Sequence, residues 1–340
     1  MVDHQVTWDR GDFSISPVGA MCAPAHFRLD DGRVIQPFAI APWSDNGEAD
    51  PRYDELPPLL RRLRGDWACI PFGMPQPRTD LPAGWLPEGG AAAAGDGFVH
   101  GPSSNLPFVV EDASAGSMTL VLEYPADHPI ARVRRTIRGV PGATRLEFGL
   151  EVEPRETVSL PIGIHPVFRL PTEPQAATLA VAGEGARAHT FPVDAEPGIS
   201  RLAHDAVARL GEVPDASGGH FDLTRYPLPI ATEEIVLVAP VDGHASLVNH
   251  AERYRVDLRW DRTAFPALNL WISNRGRTAY PWNGRHLALG IEPIAAPWDL
   301  GIAVARNPSS PLATKGIRTS IAFRAGETWS TSYSVEVSAS

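Results

Sequence analysis

Three short stretches set proton-moving side chains beside residues that interrupt regular backbone. Residues 163–171 read GIHPVFRLP, with His165 among apolar neighbours and Pro166 directly after it. Proline removes a ladder donor and belongs at strand ends, edges or bulges, and it pushes the residue before it into extended geometry. His165 is therefore expected to be extended and held where regular pairing stops. Residues 97–105, GFVHGPSSN, place His100 before Gly101, a residue that allows close backbone approach or positive φ. Residues 289–301, LGIEPIAAPWDLG, put Glu292 at the end of an apolar run and before Pro293. A carboxylate at the end of a buried strand is costly unless paired or hydrogen-bonded, and desolvation raises its pKa and strengthens it as a base. Each stretch also has a plain reading: a packed strand-end histidine, a loop histidine without a task, a glutamate bridged to one of the many arginines. Taken singly, the plain readings suffice.

The elements that must carry these residues are mostly strands. Residues 119–124, 132–140, 145–154, 253–260 and 331–337 alternate apolar with polar side chains, the pattern of half-buried antiparallel strands. The runs EEIVLVAP, ALNLWIS and HLALGIEPI are more continuously apolar and read as inner strands. PGAT, APVDGHA and SNRGRTA supply turns between them. Helical signals are few: DELPPLLRRLRGDW (54–67), with Leu59, Leu60 and Leu63 on one side and arginines on the other, and HDAVARLG (204–211). Many strands with few helices argue for a sandwich or barrel over βαβ units. No repeat and no linker divides the chain, so a single domain over 1–340 is expected. PEGGAAAAGDG (87–97) and NGEADPRYDE (46–55) read as surface loops.

Composition narrows the function classes. The 340 residues are 43% hydrophobic, enough for a real core, and the 64 Pro and Gly residues (34 and 30) make the chain rich in turns. The formal charge of −10 argues against nucleic acid as a partner and gives no support for anionic membranes. Cys22 and Cys69 stand far apart outside any CxxC pattern, which excludes a disulfide framework and a thiolate zinc site. The first residues carry no apolar signal-peptide core, and no apolar run reaches the roughly 18 residues that span a bilayer. A soluble cytoplasmic protein is the expectation. Lysine occurs once, at Lys315 in the loop SPLATKGIR, so Schiff-base chemistry would have to use that residue; this argues against lysine aldolases and pyridoxal-phosphate enzymes.

Read together, the His-Gly, His-Pro-x-Phe and Ile-Glu-Pro stretches occur in an order that resembles the aldose 1-epimerases, the galactose mutarotase-like superfamily. The resemblance runs from roughly Arg64 to the C-terminus. It implies an all-β fold, a large antiparallel β-sandwich (the mutarotase-like supersandwich) with a few short helices. By motif it gives His165 the role of general acid and Glu292 that of general base, with His100 lining the sugar site. Residues 66–78, DWACIPFGMPQPR, resemble a family segment whose downstream arginine contacts sugar hydroxyls, here Arg78. Residues 232–238, TEEIVLV, resemble the stretch where many members carry a substrate-binding aspartate; Glu233 or Glu234 stands there instead. Residues 265–274 resemble a late family strand with a tryptophan, Trp271. The chain departs from the common pattern in lacking Asn-Arg before His100 and a double glycine after it, and in reading His-Pro-Val-Phe. It resembles a divergent member.

The implied reaction interconverts the α and β anomers of a reducing sugar. The anomeric hydroxyl loses a proton, the ring oxygen gains one, and the C1–O5 bond opens to an aldehyde that recloses on its other face. One base and one acid suffice, without redox cofactor or metal. As the acid, His165 would be cationic at rest or share a proton with the substrate, and a neighbouring carboxylate would favour its charged form. Trp271, Trp282 and Trp298 offer a face for a pyranose ring, Trp298 lying six residues from Glu292, while large aromatics also fill cores. The arginines of RRLRGD (61–66) fit either a phosphate site, as in a hexose 6-phosphate epimerase, or the solvated face of a helix. Three rivals remain. A glycoside hydrolase needs two carboxylates, and only Glu292 stands out. A cupin-like metal site lacks an HxH cluster. A non-catalytic carbohydrate-binding protein of the same fold would bind a small-molecule sugar without accelerating its anomerisation. The sugar's identity and the oligomeric state are not legible.

Overall fold

The computed structural model describes residues 2–44, 50–89 and 96–340. Two large antiparallel sheets, of eight and nine strands among those residues, face each other across the main core. The expected fold class, an all-β antiparallel sandwich with short helices, is what is found. The eight strands of the site sheet are β1 (Ala68–Cys69), β2 (Ile162–Ile164), β3 (Val167–Arg169), β4 (Arg187–Thr190), β5 (Val207–Ala208), β6 (Thr232–Ala239), β7 (Ala267–Asn274) and β8 (Leu287–Ala295). Their spatial order is β5-β4-β6-β7-β8-β2-β1, with β3 also pairing along β8.

Period-two alternation decides which face each side chain takes. Leu268, Leu270 and Ile272 of β7 and Leu289 and Ile291 of β8 join the core between the sheets. They meet strands such as Arg145–Pro154, whose burial alternates at every residue. The opposite face of the site sheet is not left to solvent. Trp43, Leu59, Leu63, Trp67, Phe72 and Trp298 cover it with a second apolar cluster that includes Leu237, Trp271 and Ile294. A sheet apolar on both faces explains why β6, β7 and β8 read as nearly continuous apolar runs.

Both helical expectations are corrected. Within 54–67 only α1 (Pro58–Arg61) is helical, preceded by a 3₁₀ turn at Pro51–Glu55. The paired prolines Pro57 and Pro58 set the start, and Gly65 at φ +58° turns the chain away. Gly65 also has no room for a side chain, because a Cβ there would lie 1.9 Å from the Cys22 carbonyl oxygen. Within 204–211, Val207 and Ala208 form an edge strand against β4 and Leu210–Glu212 a 3₁₀ turn. The surface-loop expectations at 46–55 and 87–97 lie partly outside the described residues. A four-stranded antiparallel sheet at the N-terminus (His4–Trp8, Gly11–Ile15, Cys22–Arg28, Val34–Ile35) went unanticipated.

One buried ionic contact ties the nine-stranded sheet to the segment that enters β1. Arg135 donates to the Asp66 carboxylate, and the Tyr333 hydroxyl donates to the same oxygen at 2.7 Å. Arg135 also donates to the Asp66 and Ala20 carbonyl oxygens, both at 3.2 Å. The two side chains are 1% and 0% exposed, so removing one partner strands the other's charge without water. Arg135→Met is expected to cost about 3–5 kcal/mol of unfolding free energy. Adding Asp66→Leu should recover much of that loss, and urea denaturation of both variants checks it.

Candidate active site

Glu292 reaches its place through strand register. In β7 and β8, Asn269 is opposite Glu292 and Trp271 is opposite Gly290. The alternation that sends Leu270 and Ile291 into the core sends Asn269, Trp271 and Glu292 to the other face. Asn269 Nδ2 donates to Glu292 Oε2 at 2.7 Å. Gly290 is needed for this arrangement: a Cβ there would lie 2.3 Å from Glu292 Oε1 and 3.0 Å from Trp271 Cβ. The carboxyl folds back over the position a side chain would occupy.

His165 sits in the gap between β2 and β3, where the pairing with β8 is interrupted, as the proline after it leads one to expect. Its backbone N–H donates to the Trp67 carbonyl at 2.8 Å, and the Ile291 N–H donates to the Pro166 carbonyl at 2.9 Å. The imidazole stacks on the Trp67 ring at 4.1 Å between centroids with 16° between planes. Nε2 faces Glu292 Oε1 at 3.2 Å without a well-aligned hydrogen bond. Nδ1 has no hydrogen-bond partner among the described residues.

Burial fixes the charge of this pair. It pushes the Glu292 carboxyl well above the usual carboxylate range, with the Asn269 amide opposing and the Asp299 carboxyl adding to the rise. It pushes the His165 imidazole well below its ordinary value, and the neighbouring His100 lowers it further. Both shifts favour the neutral forms, because burial leaves neither charge well solvated, and they run against a resting imidazolium at His165.

His100 approaches from a loop held by α2 (Pro102–Asn105). Ser104 Oγ donates to the His100 carbonyl and Asn105 Nδ2 to the Val99 carbonyl, both at 2.7 Å. The next residue is glycine for both reasons anticipated: Gly101 has φ +76°, and a Cβ there would lie 2.1 Å from the Ile70 carbonyl oxygen. His100 Nδ1 accepts from the Gly73 N–H at 3.1 Å, so the neutral ring carries its proton on Nε2. Burial holds the ring below its ordinary pKa, with Asp299 opposing. Its centroid is 5.4 Å from that of His165.

These groups line one cavity of about 250 Å³, roughly eight times the ~30 Å³ share of a liquid water. That is room for a single sugar ring. Trp271 and Trp298 also line it, as expected. Two expected substrate contacts do not. Glu233 lies behind Trp271, accepting from its Nε1 at 2.5 Å and from Ser273 Oγ at 3.1 Å, and it is ion-paired with Arg277 at 3.3 Å. It braces the indole. Arg78 is also outside the lining and is engaged by Asp80 at 2.9 Å. Glu234 is likewise committed elsewhere, to the Arg201 and Leu202 N–H groups.

Asn269, Trp67, Arg277 and Asp299 are among the lining residues that escaped the sequence reading. Asn269 was visible as an amide inside an apolar strand. Trp67 carried no signal that it would back an imidazole. Arg277 lies over the Trp282 ring at 4.6 Å and pairs with Glu196 at 2.8 Å as well as Glu233. Asp299, seven residues after Glu292, supplies a second carboxyl to the cavity. The arginines of 61–66 do not line this cavity: Arg61 faces Asp54 at 4.0 Å, Arg62 pairs with Asp3, and Arg64, buried, donates to the Ser44 carbonyl at 2.8 Å.

No protein-family model and no curated sequence matches the chain. Solved structures do. A galactose mutarotase-like protein from Lactobacillus casei is 14% identical with a TM-score of 0.64, covering 99% of this chain and 100% of that one. A galactose mutarotase related enzyme from Lactobacillus acidophilus is 16% identical with a TM-score of 0.60, covering 99% and 97%. An aldose epimerase homologue from C. elegans is 11% identical with a TM-score of 0.63, covering 99% of both chains. At such identities the likeness shows the fold, which is that of the galactose mutarotase-like proteins over their whole length.

The raised Glu292 pKa has a consequence for stability. From the ordinary value of 4.5 upward the folded chain keeps a proton that the unfolded chain loses, so this group's contribution is full below pH 4.5 and declines as pH rises toward the folded value. Each pH unit in that window removes about 1.4 kcal/mol. The depressed His165 acts oppositely, destabilising as pH falls below 6.5. Glu292→Gln should therefore gain in melting temperature over the wild type as pH rises above 4.5, with a gap that widens through that window by scanning calorimetry. A gap independent of pH would contradict the burial argument.

Proposed function

We propose that the chain interconverts the anomers of a neutral reducing sugar by acid–base ring opening. The observation that carries this reading is the contact between His165 Nε2 and Glu292 Oε1 at 3.2 Å inside a cavity sized for one sugar ring. A hemiacetal presents one hydroxyl donor and one ring-oxygen acceptor on adjacent atoms, which matches a pair of groups that share a proton.

The neutral resting pair does not obstruct this chemistry. A C1 hydroxyl donating to Glu292 Oε1 stabilises the carboxylate, and a ring oxygen accepting from His165 Nε2–H stabilises the imidazolium. Substrate thus draws the proton from Glu292 to His165. Glu292 then takes the hydroxyl proton as His165 gives its own to the ring oxygen. The electron pair of the O–H bond forms the C1=O bond, and that of C1–O5 stays on oxygen. The pair is neutral again beside the open aldehyde, the state its burial favours. Closure on the other face reverses each transfer. His100 Nε2–H is the donor available to a sugar oxygen as charge develops. The Trp271 and Trp298 rings supply apolar surface for the sugar's C–H faces.

A neutral sugar fits better than a phosphorylated one. Arg277, the guanidinium lining the cavity, already answers two carboxylates, Glu196 and Glu233. No other arginine or lysine stands among the described residues that line the cavity, so a phosphate would find no uncommitted guanidinium or ammonium there.

Glu292→Gln and His165→Asn should each lower the exchange rate by roughly 10²–10⁴-fold while leaving sugar affinity within a few-fold, since each proton-transfer group contributes about that much. Exchange NMR between anomers of several aldoses, with hexose 6-phosphates alongside, measures both quantities. Affinity without rate enhancement in the wild type would make the chain a carbohydrate-binding protein. Cleavage of aryl glycosides without anomer exchange would make it a hydrolase.

A further inference from the structure

Resting on the sugar-site reading above, we propose that Asp299 is the specificity-determining residue of the cavity, its carboxylate accepting a hydrogen bond from one ring hydroxyl of a neutral aldose. Three observations converge on it. Asp299 lines the cavity together with His100, His165 and Glu292. Its Oδ1 is shielded from solvent and accepts no hydrogen bond among the described residues. Its backbone is pressed into place: Gly73 has φ +108°, and a Cβ there would lie 3.1 Å from the Trp298 carbonyl oxygen and 3.4 Å from Asp299 Cα. Gly73 is the residue whose N–H holds His100, so the Asp299 turn and the His100 loop meet at one glycine.

A shielded carboxyl oxygen without a donor is unfavourable, and the cavity is where a donor can arrive. Sugar hydroxyls are such donors. The other acidic candidates are already engaged, Glu233 by Trp271, Ser273 and Arg277, and Glu234 by backbone N–H groups. Asp299 thereby takes a recognition task that the strand β6 glutamates cannot perform. A site built to bond a particular hydroxyl rejects the analogue lacking it far more strongly than an apolar wall rejects an extra methylene.

The test is a double-mutant cycle between residue and hydroxyl. Wild type and Asp299→Ala are compared on a turned-over aldose and its monodeoxy analogues, by anomer-exchange NMR and by equilibrium binding. The wild type should lose at least tenfold in kcat/KM and in affinity on one analogue. Asp299→Ala should lose as much on the parent sugar and nothing further on that analogue, while the other analogues stay additive. Asp299→Asn, which keeps one acceptor oxygen, should fall between the two. The melting temperature of Asp299→Ala should be unchanged or higher, since an unsatisfied group has been removed; a purely structural aspartate would lower it. Additive losses on every analogue overturn the proposal, as does a loss on the parent that tracks a lowered melting temperature. If the wild type binds aldoses without exchanging their anomers, the catalytic reading fails and the binding arm still decides Asp299. If it binds none of them, both fall.

Discussion

A carboxyl and an imidazole stand side by side in one buried wall, and much of the surrounding structure serves to place them. Charging Glu292 or His165 separately is unfavourable because both side chains are almost wholly buried. The antiparallel register of β7 and β8 brings Asn269 against Glu292, and the glycine at 290 gives the carboxyl its space. Placing these side chains on a sheet face, and not on loops, fixes their separation through backbone hydrogen bonds on both sides.

Behind the pair stands a supporting layer. Trp67 backs His165, and Glu233 backs Trp271. Asp66, next to Trp67 in the chain, is gripped by Arg135 from the other sheet. The position of the imidazole is thus tied to how the two sheets pack, although Arg135 lies outside the cavity. Two of the eight non-glycine residues that adopt the left-handed region among the described residues line the cavity: His100 at φ +58° and Trp298 at φ +53°. Such conformations persist where surrounding contacts over-determine them, and they cluster at functional sites.

Much of this was readable from residue order, and the exceptions have physical causes. Long strands announced themselves by alternation or by continuous apolar runs; Arg145–Pro154 matched to the residue. The interruption at His165 followed from Pro166, and the need for glycine at 101 from its conformational freedom. Elements of two or three residues, such as β1 and β2, were not legible, because tertiary pairing and not local pattern creates them. The helix expected at 54–67 shrank to one turn, since its leucines reach the second apolar cluster without needing a helix to present them. Glu233 shows the main limit. A glutamate on a sheet face could face either ligand or neighbour, and the choice depended on Trp271 turning its N–H toward it. Asp299 was missed for the converse reason: nothing in an aspartate after a tryptophan tells that no donor will be supplied to it.

Of the nine tryptophans in the chain, Trp67 lies flat against the His165 ring. An imidazolium accepts an electron from a photoexcited indole far more readily than a neutral imidazole does. Protonation of His165 would therefore dim the emission of that one indole, and the fold carries its own optical gauge of the charge on that ring.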